Sequence, residues 1–442
     1  MHPETPTVNG PGPDKGLPPV SPPTGKFLVQ LFLVPGVIVT LIVGFLIVLR
    51  WLFGGPGTPE EFLKALDDSN PEVRWRAASN LSQVLPRDKG LAADADFALK
   101  LADRLEKAIQ AAKPAEEAFQ KKLKNLSEND AEAERRKLEA DRAFVQFLTA
   151  SLGHFVVPAG VPLLEEIATG EGVGKEVAGE LKVTAALRRN AVEALAKLGG
   201  NLSGFDALDG PQQEAILAQL TRASENPTLG PWARATLRFL EERRAGHPDA
   251  FGMDAAMEKC AEAEDPGLRE SVAFALNFWQ GTPEQNARIE SILARLANDD
   301  GHGEELRAQL YDDERYFREK RRPETREVLK SPGLLVRYNA NLALARRGST
   351  KTKIPMLREM LDEQELGKAI TLERADGTRH PNDAKVEMVL LNSLKALVEL
   401  HQRRPEAITP ELKQAVTKLT ESPDKAVSAE AKQTLIALDR GQ

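Results

Sequence analysis

One cysteine in 442 residues leaves Cys260 with nothing to pair with, so neither an intrachain disulfide nor a cysteine cage for a metal can form. Cys260 falls among small and apolar residues on a predicted helix, which reads as an inert buried thiol rather than a nucleophile. Aromatics are scarce at 5% of the chain, and Ala and Leu carry the apolar load instead. Short aliphatic side chains suit closely packed helices better than strands, which favour β-branched and aromatic residues. The expected fold class is therefore all-α.

Recognisable chemistry is equally sparse. The six histidines have no HExxH or other ligand spacing, and there is no Walker loop, GxSxG elbow or GxGxxG after a strand. The glycine-rich stretch from Gly170 to Gly174 joins two predicted helices and reads as a connector. No catalytic residue, cofactor site, metal ligand or small-molecule substrate is expected, and the chain reads as non-enzymatic. Excess positive charge is lacking too, since the formal net charge is −7. Lys15, Lys26 and Arg50 outnumber Glu4 and Asp14 in the first 53 residues, so the negative excess sits beyond them. An acidic domain is repelled by phosphate backbones, and no nucleic-acid partner is expected.

What the sequence does contain begins with a proline-rich tail over residues 1–26, including Pro18, Pro19, Pro22 and Pro23. It has too few apolar side chains to fold, and its prolines favour extended polyproline II. Phe27 to Leu49 then runs without a charge and, apart from Gln30, Pro35, Gly36, Thr40 and Gly44, consists of Leu, Ile, Val and Phe. As a helix it would extend about 34 Å, enough to cross a hydrocarbon core of about 30 Å. Arg50 and Trp51 follow as interfacial residues do. Residues 27–53 are expected to form a single transmembrane helix with its interfacial end, making the lipid bilayer a partner through 27–49. Lys15 and Lys26 before the span face Arg50, Lys64, Arg74 and Arg76 after it, a near balance that tips the following domain toward the cytoplasm.

From Thr58 onward one pattern keeps returning. Asn70-Pro71 precedes Val73, Ala77 and Leu81; Asp265-Pro266 precedes Leu268, Val272 and Leu276; Ser331-Pro332 precedes Val336, Ala340 and Leu344. Further copies begin at Leu187, Leu229, Val386 and Val427. Offsets of 0, 4 and 8 line these side chains along one helix face, and the small middle residue admits a close neighbour. Three of the six intervals between copies are about 40 residues, the period of a two-helix repeat. A second amphipathic helix precedes most copies, as with Phe62, Leu63 and Leu66 or Ile216, Leu217 and Leu220.

The string from Asn70 to Leu81, with Pro71, Val73, Arg74, Ala77, Ala78 and Leu81, resembles the HEAT-repeat superfamily, including the variant known from phycobilisome lyases. The resemblance covers roughly residues 58–85 and 160–440. It implies an α-solenoid over 58–442 and says little about activity, because the shared residues are the packing ones. The function expected is a membrane-anchored scaffold for protein–protein interaction, with its protein partners unidentified. The alternatives that the resemblance brings are a tetrapyrrole- or chromophore-lyase-like factor and a HEAT-like nucleic-acid-binding protein.

Two stretches depart from the period. Residues 92–152 read as a long helical hairpin, with Leu101, Leu105, Ala108 and Ala112 on one arm and Leu138, Val145, Leu148 and Leu152 on the other. Residues 364–383 contain Asp376-Gly377 after a β-rich run, which predicts an inserted loop with a hairpin turn. The densest basic run, with Arg315, Arg318, Arg321 and Arg322, is the candidate partner-binding site for an acidic protein or anionic headgroups. The pairs Arg243-Arg244, Arg346-Arg347 and Arg403-Arg404 fall at helix ends, where each would oppose its own helix dipole.

Overall fold

The computed structural model describes residues 57–123, 126–170, 180–245, 253–279, 281–305 and 325–440, together with Val37 and Val39. Except for those two valines, both in helical conformation, the span expected over 27–49 lies outside the described residues. So do the proline-rich tail and the whole basic run from Arg315 to Arg322. Among the described residues no helix is long and apolar enough to cross a membrane.

Residues 58–442 form one compact unit, mostly helical. Its helices are α1 (Pro59–Leu66), α2 (Pro71–Val84), α3 (Lys89–Ala92), α4 (Ala95–Leu123), α5 (Glu128–Leu152), α6 (Val161–Thr169), α7 (Glu180–Asp206), α8 (Gly210–Ser224) and α9 (Gly230–Arg244). Then come α10 (Met253–Ala261), α11 (Pro266–Ala275), α12 (Pro283–Leu296), α13 (Leu334–Arg346), α14 (Ile354–Glu359), α15 (Glu363–Ala369), α16 (Asp383–Arg403), α17 (Pro410–Leu419) and α18 (Lys425–Asp439). Three short strands, β1 (Thr325–Leu329), β2 (Ile370–Arg374) and β3 (Arg379–Pro381), and two 3-10 turns, Pro158–Gly160 and Pro405–Ala407, complete the described elements.

Helix starts follow from local chemistry. Thr58 and Glu61 close a capping box on α1, satisfying two orphan N–H groups reciprocally. Asn70 and Asp265 accept from the N–H of Glu72 (3.0 Å) and Gly267 (2.8 Å), and in both helices the next residue is a proline at the first helical position. That proline lacks an N–H where none is needed, so the same dipeptide stops one helix and opens the next.

The second helices of successive pairs lie side by side in the order α2, α5, α7, α11, α13, α16, α18. Behind them sit the first helices: α1 behind α2, α4 behind α5, α6 behind α7, α10 behind α11, α12 behind α13 and α17 behind α18. The buried residues divide into two clusters that meet at α13. Val336, Ala340, Ala343 and Leu344 belong to the N-terminal cluster; Leu334, Leu335, Tyr338, Leu342 and Ala345 belong to the C-terminal one. A helix with apolar residues on two opposite sides is thus explained by burial on both. At Gly199 a Cβ would lie 2.8 Å from the Trp279 indole, and at Gly200 2.6 Å from the Phe278 carbonyl. Glycine at both positions lets α7 lie directly against the chain leaving α11.

Two placements differ from the periodic reading. The Leu229 copy, on α9, is not in the layer of second helices; α9 pairs with α8 and packs against α4, α6 and the 3-10 turn Pro158–Gly160. Its pattern records that a neighbour comes close, which is equally true on the outer side of the first-helix layer. Conversely, α5 supplies a layer member where no copy stood out. It buries Phe144, Val145, Leu148 and Leu152 between α2 and α7, while most of its first half is partly or fully exposed.

Candidate interaction surface

α5, α7, α11 and α13 are each flanked by two neighbours in the layer and backed by a first helix, which among the described residues leaves one side of each uncovered. At the end of α11 that side carries Phe274, on the helix, and Phe278, in the turn that follows it, 40% and 45% exposed. Their rings meet edge to face with centroids 5.2 Å apart. Large aromatics normally bury; a preorganised pair left in solvent is the composition found at the centres of protein interfaces. Met388 is 47% exposed on α16. Between them, Arg346 on α13 reaches α16, with Nη2 donating to Asn392 Oδ1 at 3.3 Å and Nε 3.7 Å from Glu399.

Two ladders of polar contacts hold the layer in register. At the helix starts, the arginine after the large aliphatic residue donates back to the turn that opens its own helix: Arg74 to the Asp68 carbonyl (3.0 Å), Arg269 to the Ala263 carbonyl (2.7 Å) and Arg337 to the Pro332 carbonyl (2.7 Å). Neighbouring units are joined here by Arg74–Asp141 (2.6 Å), Arg189–Asp265 (3.3 Å) and Arg269–Asp299 (2.6 Å). At the helix ends a side chain from one second helix caps the carbonyls of the one before. Asn201 donates to the Gly153 carbonyl (3.1 Å), Arg347 to those of Leu276 (3.3 Å) and Trp279 (2.7 Å), and Arg404 to that of Ser349 (2.7 Å).

The paired arginines are therefore corrected in part. The second member of Arg346-Arg347 and of Arg403-Arg404 serves the preceding helix rather than its own dipole, because neighbouring second helices end within guanidinium reach. The side chains of Arg243 and Arg244 lie outside those described.

The inserts of two successive units meet in one sheet. β1, between α12 and α13, pairs antiparallel with β2, between α15 and α16, and β2 pairs with β3 in the order β1-β2-β3. Asp376-Gly377 makes the β2–β3 turn: Gly377 has φ +80°, and Asp376 Oδ1 accepts from the Thr378 N–H (2.9 Å) and hydroxyl (2.6 Å). Ile370 is fully buried, so one face of the sheet joins the C-terminal core. The sheet was only half legible beforehand, since the Asp-Gly turn is visible in sequence whereas the long-range partner strand β1 has no local signature.

The candidate residues Arg315, Arg318, Arg321 and Arg322 lie in residues 306–324, outside those described, between Glu305 and β1. Cys260 is buried, its thiol donates to the Ala168 carbonyl at 3.3 Å, and burial pushes its pKa up to about 11. It is a packing residue of α10. Burial likewise raises Glu165 to about 7, with its Oε1 lacking a hydrogen-bond partner, and lowers His154 to about 4, assisted by Lys197. Glu165 and His154 sit on different elements, α6 and the turn after α5. Among the described residues no group of His, Cys, Asp and Glu is arranged to hold a metal ion.

No family model matches the sequence, and no curated protein matches it. Solved structures do match. One is human deoxyhypusine hydroxylase in complex with glycerol, at 14% identity over 86% of this chain and 96% of that chain, with a TM-score of 0.23. Another was solved in work on a phosphorylation switch that controls the interaction between cadherin and β-catenin, at 15% identity over 88% of this chain and 93% of that one, with a TM-score of 0.20. Superpositions this loose carry nothing over to the chemistry of this chain.

Proposed function

We propose that this chain is a non-enzymatic interaction scaffold, a HEAT-like solenoid held at a membrane by residues 27–49, whose layer of second helices binds a protein partner. The observation that carries the reading is the edge-to-face pair Phe274–Phe278, two large aromatic side chains left exposed side by side on the layer of second helices. Stacked helix pairs generate extended surfaces of this kind, on which a few aromatic anchors supply most of the binding energy. The anchor rests on the charge-free run itself, which is longer than the apolar core of a cleaved signal peptide.

Cross-linking in native membranes followed by capture of the full-length chain tests the reading. The expected result is a defined partner that the Phe274→Ala/Phe278→Ala variant loses without a change in thermal stability. A partner retained in full by that variant would move the binding surface elsewhere. Protease protection on sealed vesicles tests the anchor, and full digestion from both sides with no protected fragment would remove it.

A further inference from the structure

The small sheet has two edges, and they are not equivalent. In an antiparallel ladder alternate residues turn their N–H and C=O toward the neighbouring strand, while the residues between turn them outward. The Lys330 N–H donates to the Ala369 carbonyl at 2.7 Å, which extends the register Leu329↔Ile370 by one step. Lys330, Val328 and Arg326 therefore direct their main-chain groups to β2, and Glu327 and Leu329 direct theirs away from the sheet. On the other edge, the Asn382 N–H donates to the Ile370 carbonyl at 2.9 Å, so Arg379 and Pro381 are the outward residues of β3. Pro381 has no N–H to offer, and proline on an edge is a standard block to further pairing. β3 is closed to another strand; on β1 the outward main-chain groups of Glu327 and Leu329 take no hydrogen bond among the described residues.

The side chains of β1 say what an added strand would meet. Arg326 is exposed and makes no ion pair among the described residues. Lys330, on the same face, is 54% exposed and lies 3.7 Å from Glu359. Val328, between them, is partly exposed. The opposite face, with Leu329 and Ile370, packs on the core. The solvent face of this edge thus reads basic, aliphatic, basic at two-residue spacing.

A second copy of the same edge fits badly where the two strands overlap in full. Outward residues must face outward residues, which restricts two antiparallel copies of β1 to registers of one parity. Centred on Glu327, that pairing sets carboxylate against carboxylate; centred on Val328, it sets Arg326 against Lys330. Like charges directly opposite are destabilising.

We infer that β1 is a docking edge for an extended segment of a protein partner, added as a fourth strand, with acidic side chains four residues apart facing Arg326 and Lys330 and an aliphatic residue facing Val328. Main-chain bonds to Glu327 and Leu329 supply the pairing and the alternate side chains supply the selectivity. The inference rests on the scaffold reading and places one contact within it, on inserts from two successive units rather than on the repeats.

The test uses full-length protein in nanodiscs and the capped, dye-labelled peptide Thr-Glu-Thr-Val-Thr-Glu-Thr, which reads the same in either strand direction, with a Lys-for-Glu version as control. Anisotropy should show saturable binding of the acidic peptide and binding about tenfold weaker for the basic one. Glu327→Pro removes an outward N–H while sparing the β1–β2 ladder, and it should abolish binding. Glu327→Ala loses the side-chain contact to Asn382 but keeps the N–H, and it should bind. Arg326→Glu alone should cancel the preference between the peptides and Arg326→Glu/Lys330→Glu should reverse it, which decides the matter even if the proline variant is unstable. No binding of the acidic peptide, equal binding of both peptides, or undiminished binding by a folded Glu327→Pro variant would each overturn the proposal. So would a dimer that Glu327→Pro dissociates, since that assigns the edge to a second copy. Capture of the native partner through Phe274 and Phe278 is a separate readout, so the edge can fail while the scaffold reading stands.

Discussion

Arg269 on α11 and Asp299 in the turn after α12 form an ion pair at 2.6 Å with side chains 0% and 3% exposed. The guanidinium also donates to the carbonyls of Ala263, Glu264 and His302, and the Asp299 carbonyl receives Arg337 from the next helix. Three consecutive helices and the turn leading toward the sheet are joined at this one point. Buried charges of this kind persist only when nearly every donor is used, as here.

Arg269→Ala should therefore be among the most damaging substitutions in the chain. Removing one partner strands the Asp299 carboxylate in the interior, at a cost of about 3–5 kcal/mol. Chemical denaturation of the variant checks this, with a clear drop in midpoint expected. Arg269→Lys should recover little, because one ammonium cannot reproduce the planar fork.

Arg347→Ala should destabilise by about 1.5–3 kcal/mol, the range for charged hydrogen bonds to otherwise unmet groups. The carbonyls of Leu276 and Trp279 would lose their donor. Hydrogen exchange should localise the loss to the end of α11, the preceding helix. If protection fell only at the end of α13, the cross-helix ladder would be refuted.

Glu165 should make stability fall as pH rises from 4.5 to about 7. Burial raises its carboxyl from 4.5 to about 7 in the folded state. The group is neutral in both states below about 4.5, so nothing is lost there; above that the unfolded chain ionises first, and the penalty is complete once the pH passes about 7. Glu165→Gln should raise the melting temperature at pH 8 and leave it unchanged at pH 4. Equal effects at both pH values would contradict the assignment.

Cys260 should resist alkylation by iodoacetamide at pH 8 in the native protein and react fully in denaturant. A thiol raised to about 11 and hydrogen-bonded to the Ala168 carbonyl has little thiolate to offer. Modification at the rate of a free thiol would place it on an accessible surface.

By itself the sequence determined what local chemistry can determine. The Asn-Pro and Asp-Pro caps, the large–small–large helix faces, the inert cysteine and the Asp-Gly turn each depend on residues within two helical turns of one another. Tertiary structure alone decided which neighbour each face meets. Leu229, Ala233 and Leu237 keep the same spacing of aliphatic residues as Leu268, Val272 and Leu276, yet α9 packs outside the layer of second helices while α11 lies within it. The triplet encodes close approach, not the identity of the partner. The arginine ladders, the outward edge of β1 and the opening around Phe274 and Phe278 are likewise settled by contacts between residues far apart in the chain. A periodic sequence states that helices pack; only the folded chain states against what, and which sides are left open.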